Sequence, residues 1–178
     1  MNGQSISDVN LLPRFLLTIN NAYFQDDNFS KFTGRLPKEG ELHQSVVTQR
    51  GEYVYIPIIT MLALVEILGS ILTDHKGLKN NMKAFLDQFM PNYTKHLDIL
   101  YNLRNNLVHE WEGGPRMVLD TADPPAGHME LVDGIFTINV CTLYKDLGNG
   151  FRCLTSKGKS DAVFVRELTE RLKKRIRT

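Results

Sequence analysis

Cysteine is scarce in this chain. Cys141 and Cys153 are the only two, with no CxxC spacing and no Cys/His cluster, which excludes a disulfide framework and gives no zinc signature. A charge excess of one sign is missing as well. The formal net charge of +1 leaves any contact with a polyanion to a local patch. The N-terminal region carries no basic segment ahead of a long apolar core, because Pro13 and Arg14 interrupt its one apolar stretch; no signal peptide is read there, and a reduced, cytoplasmic protein is expected. No repeat of 20 to 50 residues is present, so a solenoid is excluded. Neither a P-loop nor a GxSxG elbow occurs. The longest apolar run, Ile58 to Asp74, has Glu66 in its middle. It is therefore expected to be a central buried helix rather than a membrane span, which needs about 20 clean residues.

What is present reads as one domain over residues 1–178, long enough to bury a core without disulfides or metal. Ser7 or Asp8 can cap a first helix whose Leu11, Leu12, Phe15, Leu16, Ile19, Ala22 and Tyr23 recur at three and four residues. Residues 25–51 are polar and broken by Gly34, Pro37, Gly40 and Gly51, a long connection suited to a flap or lid. An extended lead-in over Glu52 to Ile56 is expected before the central helix, with Pro57 at its first position. Gly77 marks a turn, and Leu78, Met82, Phe85, Leu86 and Phe89 predict a short helix stopped by Pro91. Asn92 or Thr94 can cap the next helix, which Gly113-Gly114-Pro115 ends. Residues 115–137 read as a β-hairpin insertion, from RMVLDT and MELVDGIFT with a tight turn at Asp133-Gly134, and Leu131, Ile135 and Phe136 are expected to cover a helix face. Helical spacing returns from Ile138 to about Thr155. Ser160-Asp161 caps a last helix with Val163, Phe164, Val165, Leu168, Leu172 and Ile176 inward. The fold class is mainly α, a bundle of about five helices with a small β-hairpin appended between the fourth helix and the C-terminal pair.

One residue does not suit its place in this pattern. Winding Leu97 to Trp111 (LDILYNLRNNLVHEW) at about 100° per residue puts Leu97, Leu100, Leu107, Val108 and Trp111 on one face, with Arg104 roughly 25° from its centre. Desolvating a guanidinium costs several kcal/mol unless planar partners or an anion meet its donors. Glu66, the other charge in apolar surroundings, is the most economical structural partner. Asn105 and His109 lie four apart and share a helical face, so they can bracket one ligand. Arg104 and His109 stand roughly 140° apart, and a frayed last turn or a second copy of the helix is needed to bring them together.

Arg104-Asn105-Asn106-Leu107-Val108-His109 resembles the signature of HEPN domains: an arginine, a polar residue, then a histidine after four to six positions near a helix end. The resemblance covers Ile58 to Trp111 best. It implies an all-α bundle that commonly forms a homodimer through the motif helix, with the paired motifs making a cleft. Many members are metal-independent endoribonucleases, including toxins and defence effectors; others are not catalytic. On this resemblance the substrate's 2′-hydroxyl is the nucleophile, His109 moves a proton, Arg104 holds the phosphoryl oxygens and Asn105 orients one or the other. No metal or cofactor is implied. RNA and an antitoxin or other protein are the implied partners, and no membrane is. One departure stands at Trp111, where some toxins of the family carry a tyrosine that accepts a modifying nucleotide; indole offers no hydroxyl for that. Lys173, Lys174, Arg175 and Arg177 form a dense basic cluster on the last helix. It is either a solvated helix end or a strip for RNA contact. The alternative to a ribonuclease is a non-catalytic HEPN-like module for protein or nucleotide binding, with Arg104 locked and His109 at the surface.

Overall fold

The computed structural model describes residues 11–24, 52–109, 117–120 and 127–176. The expected caps Ser7 and Asp8, the 25–51 connection, Trp111 and Gly113 to Pro115 lie outside them. Helix α1 (Leu11–Ile19) runs on into a π-helical turn (Asn20–Phe24), with Pro13 in the first turn, where its missing N–H has no partner to lose. Helix α2 (Glu52–Ser70) is the central rod. Its Ile58, Met61, Leu62, Leu64, Val65 and Leu68 are each at most 3% exposed, an arc of roughly 160° around the helix that its neighbours cover. The extended lead-in expected at Glu52 to Ile56 is instead helical, and Pro57 lies inside the helix as its sixth residue, where it removes one bond of the ladder. The helix also stops at Ser70 rather than Asp74, because the chain turns where the Leu72 N–H meets the Gly69 carbonyl at 2.9 Å.

Gly69 permits the tightest crossing in the bundle. A Cβ there would lie 1.7 Å from the carbonyl oxygen of Asn81 on α3 (Leu78–Phe89). Pro91 does not simply stop α3. It begins a four-residue helix, α4 (Pro91–Thr94), so the expected caps Asn92 and Thr94 fall inside that turn. The motif helix α5 (Leu97–His109) follows. Its buried stripe is Leu100, Leu103 and Leu107, whereas Val108 is 42% exposed. That shifts the buried centre and leaves Arg104 roughly 65° from it, at the border of the stripe.

Three short strands follow, β1 (Met117–Asp120), β2 (Glu130–Val132) and β3 (Ile135–Asn139), in the order β1-β3-β2. The β2–β3 hairpin turns at Asp133 (φ 51°) and Gly134 (φ 75°), the two positive angles of the favoured hairpin turn. β1 is a parallel neighbour of β3, with Met117 opposite Phe136, so it is not an arm of the hairpin. Alternation along β3 turns Phe136 and Ile138 into the core. Leu131 (68% exposed) and Ile135 (42%) face outward, contrary to the expectation that they cover a helix.

Asn139 ends the sheet and caps α6 (Val140–Ser160), its side-chain oxygen accepting from the Thr142 N–H at 2.8 Å. Gly150 lies where α6 meets the end of α3; a Cβ there would stand 3.0 Å from Met90 Cγ and 3.1 Å from the Phe89 carbonyl. That close approach explains why an otherwise poor helix former sits mid-helix. Asp161 caps α7 (Ala162–Ile176), its Oδ1 accepting from the Phe164 N–H at 2.9 Å. Phe164, Leu168 and Leu172 point inward as expected, but Val163 and Ile176 are 56% and 64% exposed. The fold is mainly α, and the buried side chains of α1, α2, α3, α5, β3, α6 and α7 form one continuous core. Among the described residues, no helix is long and apolar enough to cross a membrane.

Candidate functional site

Arg104 emerges from α5 toward α2. Its Nη2 donates to Glu66 Oε2 at 3.2 Å, and the two side chains are 19% and 18% exposed. The pairing drawn from sequence as the structural answer to Arg104 is therefore present. It is incomplete. A guanidinium has five N–H donors; here one reaches Glu66, one on Nη1 reaches Asn105 Oδ1 at the long distance of 3.4 Å, and the Nε is buried with no partner among the described residues. The contact with Glu66 runs through Nη2 alone, not the two-pronged fork that would engage a carboxylate fully. Among the described residues two donors on the Nη atoms have no partner.

Asn105 stands beside Arg104, half-buried, with its carbonyl oxygen turned to the guanidinium. His109 is the last residue of α5; its side chain lies outside the described residues. Ile67, which follows Glu66 on α2, and Val108, which precedes His109 on α5, are 43% and 42% exposed.

The basic cluster is more committed than its sequence suggests. Lys173 bonds Glu170 at 2.8 Å, Lys174 stands 3.7 Å from Asp74, and the Arg175 Nε donates to the Ser70 carbonyl at 3.1 Å. Arg177 lies outside the described residues.

A second polar cluster was not read from the sequence. The Asn139 N–H donates to His128 Nδ1 at 3.0 Å, which leaves the neutral ring's proton on Nε2. That Nε2 lies 2.6 Å from the Tyr93 hydroxyl, which donates to Asp146 Oδ2, also at 2.6 Å. Asn139 Nδ2 in turn reaches Asp120 Oδ2 at 3.1 Å. Burial pushes the Tyr93 hydroxyl well above its usual range, with Asp146 adding to the shift. Burial holds the His128 imidazole below the ordinary histidine value, against the opposing pull of Asp146. His96 is shifted down for the same first reason, and its Nε2 is buried without a partner among the described residues. These groups come from α4, the turn after it, β1, the start of the hairpin and α6. No spacing rule links them, so no local signal could have found them.

Among the described residues no group of His, Cys, Asp and Glu could hold a metal ion. No protein-family model, no curated protein and no solved structure matches the chain.

Proposed function

We propose that this chain is a metal-independent endoribonuclease of the HEPN type, working as a homodimer and serving as a toxin or defence effector in the cytoplasm. The observation that carries the reading is the state of Arg104. Its guanidinium is oriented by Glu66 through one nitrogen, sits next to Asn105 and keeps uncommitted donors. Such donors can hold the non-bridging oxygens of a phosphodiester as charge builds in the transition state. The substrate's 2′-oxygen attacks the adjacent phosphorus; the new P–O2′ bond replaces the P–O5′ bond, leaving a cyclic phosphate and a 5′-hydroxyl. His109 takes the 2′-hydroxyl proton or delivers one to the departing 5′-oxygen, work suited to a side chain whose ordinary pKa is about 6.5. Pairing α5 with its copy across the Ile67 and Val108 face brings the arginine of one subunit toward the histidine of the other and removes the angular separation along one helix.

Incubating the purified protein with RNA in EDTA, beside His109→Ala, tests this. Chelator-resistant cleavage that disappears in the variant supports the reading, and no cleavage by either overturns it. A second reading, a non-catalytic HEPN-like interaction module bound to an antitoxin or another protein, is favoured by one observation, the ion pair between Arg104 and Glu66. On that reading Glu66→Gln loosens the fold and changes no RNA chemistry.

A further inference from the structure

Helix α5 carries one tyrosine, Tyr101, and no phenylalanine or tryptophan. At about 100° per residue, its position around the axis falls between those of Arg104 and Asn105, roughly 60° from the first and 40° from the second. It precedes them by one turn, about 5 Å along the helix. Tyr101, Asn105 and His109 thus occupy one row at four-residue spacing, with Arg104 beside it. That row belongs to the half of α5 turned away from the buried stripe of Leu100, Leu103 and Leu107.

Tyr101 is half-buried and packs against the core, which restricts how its ring can turn. From α3, the Lys79 Nζ lies over the ring at 5.9 Å from its centroid, the long end of a cation–π contact. The same ammonium pairs with Asp98, one turn earlier on α5, at 2.5 Å. Lys79 therefore steadies the ring while a carboxylate answers its charge. Among the described residues no other ring or cation meets Tyr101, and its hydroxyl has no hydrogen-bond partner. Rings elsewhere in the bundle are paired with one another: Phe24 stacks on Phe151 with centroids 4.8 Å apart, Phe85 meets Phe89 at 5.5 Å, and Tyr93 meets His128. Tyr101 keeps aromatic surface to offer beside the guanidinium.

A ring held in this way, one helical turn from donors suited to a phosphate, can stack on a nucleobase. Every base has a π-face, so such a contact tolerates sequence, but the base must be free of its own neighbours, as in single strands, loops and bulges. We infer that Tyr101 stacks on the base adjoining the phosphate held by Arg104, and that the substrate is single-stranded RNA. The role in cleavage rests on the ribonuclease reading, whereas stacking needs only that RNA binds at Arg104. Holding the base fixes the phosphodiester against the guanidinium, so that the 2′-oxygen meets the phosphorus in line.

The test uses one oligoribonucleotide whose cleavage position is first mapped: intact, with the base removed on either side of the cut, and annealed to its complement. Wild type, Tyr101→Phe and Tyr101→Leu are compared after circular dichroism shows them folded. Tyr101→Leu is expected to lower kcat/KM roughly 5- to 150-fold, the effect of losing one base stack, mainly through KM, and Tyr101→Phe to keep the wild-type value. Removing the base on one side costs the wild type a similar factor and the leucine variant little more, and annealing protects the strand. A ring with only a structural role predicts the same loss in the leucine variant with the base present and absent, which overturns the inference. Unchanged wild-type cleavage without either base overturns it too, with no variant needed, and equal cleavage of the duplex overturns the single-stranded substrate. In each of these cases RNA is still cut, so the ribonuclease reading stands. If no RNA is cut, 2-aminopurine is placed at successive positions of the strand and its fluorescence is followed on binding. Quenching by wild type and Tyr101→Phe but not by Tyr101→Leu keeps the stacking site and removes the ribonuclease reading. No quenching, or equal quenching by all three proteins, overturns both.

Discussion

Two polar clusters sit in one helical bundle and differ in how fully their bonding capacity is used. In the network of Tyr93, His128 and Asp146, each contact fixes the next: a backbone N–H sets the histidine tautomer, the ring meets the tyrosine, and the tyrosine meets the carboxylate at 2.6 Å. Around Arg104 the opposite holds, with one ordinary contact to Glu66, one long contact to Asn105 and a buried Nε left bare. A saturated network rigidifies and has little left to offer a ligand, whereas unsatisfied donors near the surface cost stability until an anion meets them. By this measure the first cluster ties the sheet to the bundle, and the second is where the proposed chemistry would take place.

The sharpest break between them is in activity. Arg104→Ala and His109→Ala are each expected to lower RNA cleavage by about 10²- to 10⁴-fold, while Tyr93→Phe lowers it only as far as it unfolds the protein; rates at a temperature where all variants are folded decide this. Mixing the two inactive variants extends the same contrast. If arginine and histidine act across a two-fold interface, half of the mixed dimers' sites regain both groups, and roughly a quarter of wild-type activity returns. No return places both groups of each site in one subunit.

Stability gives the reverse ranking. Tyr93→Phe removes a buried hydroxyl from between an imidazole and a carboxylate and is expected to cost about 1.5–3 kcal/mol, read from urea midpoints at unchanged slope. Its pH dependence follows from His128, whose ring is faced by Tyr93, Asp146, Glu130, His96 and the Asn139 N–H. The folded-state pKa lies below the unfolded value of about 6.5, so the unfolded chain binds more protons as acid is added. The contribution is complete above that value and is lost as pH falls through the lower folded one. Urea midpoints should therefore decline below about pH 6.5, and the decline should shrink in His128→Gln. The smallest effect is expected at Glu66→Gln, which keeps a hydrogen-bond acceptor for Arg104: about 1 kcal/mol in stability and less than tenfold in cleavage. A large gain in cleavage instead marks the ion pair as an inhibitory lock.

How much of this could be read in advance depended on whether the information was local. Helical periodicity located α3, α6 and α7 because their inward residues, such as Phe85, Leu147 and Leu168, repeat at short intervals. The Asp133-Gly134 turn was legible for the same reason, since its chemistry lies in two adjacent residues. β1 was misassigned because a parallel partner is not adjacent in sequence, and nothing in MVLD says that Phe136 will stand opposite Met117. Val108 was expected inward and is exposed, while Leu103 is buried, because the helices packed against α5, not its own sequence, decide which side of the stripe is covered. Arg104 and Glu66 were found as a pair since charges are rare among those leucines. Tyr93, His128 and Asp146 were missed, each being unremarkable in its own segment.

The central claim is that Arg104 and His109 serve a substrate that carries its own nucleophile, and its most direct test removes that nucleophile. A ribo-oligonucleotide and the same sequence with 2′-deoxyribose at every position are incubated with the protein in EDTA, and the product ends are identified. The account predicts cleavage of the first alone, with cyclic phosphate termini. Cleavage of both, or of neither by a folded protein that binds the ribo-oligonucleotide, contradicts it.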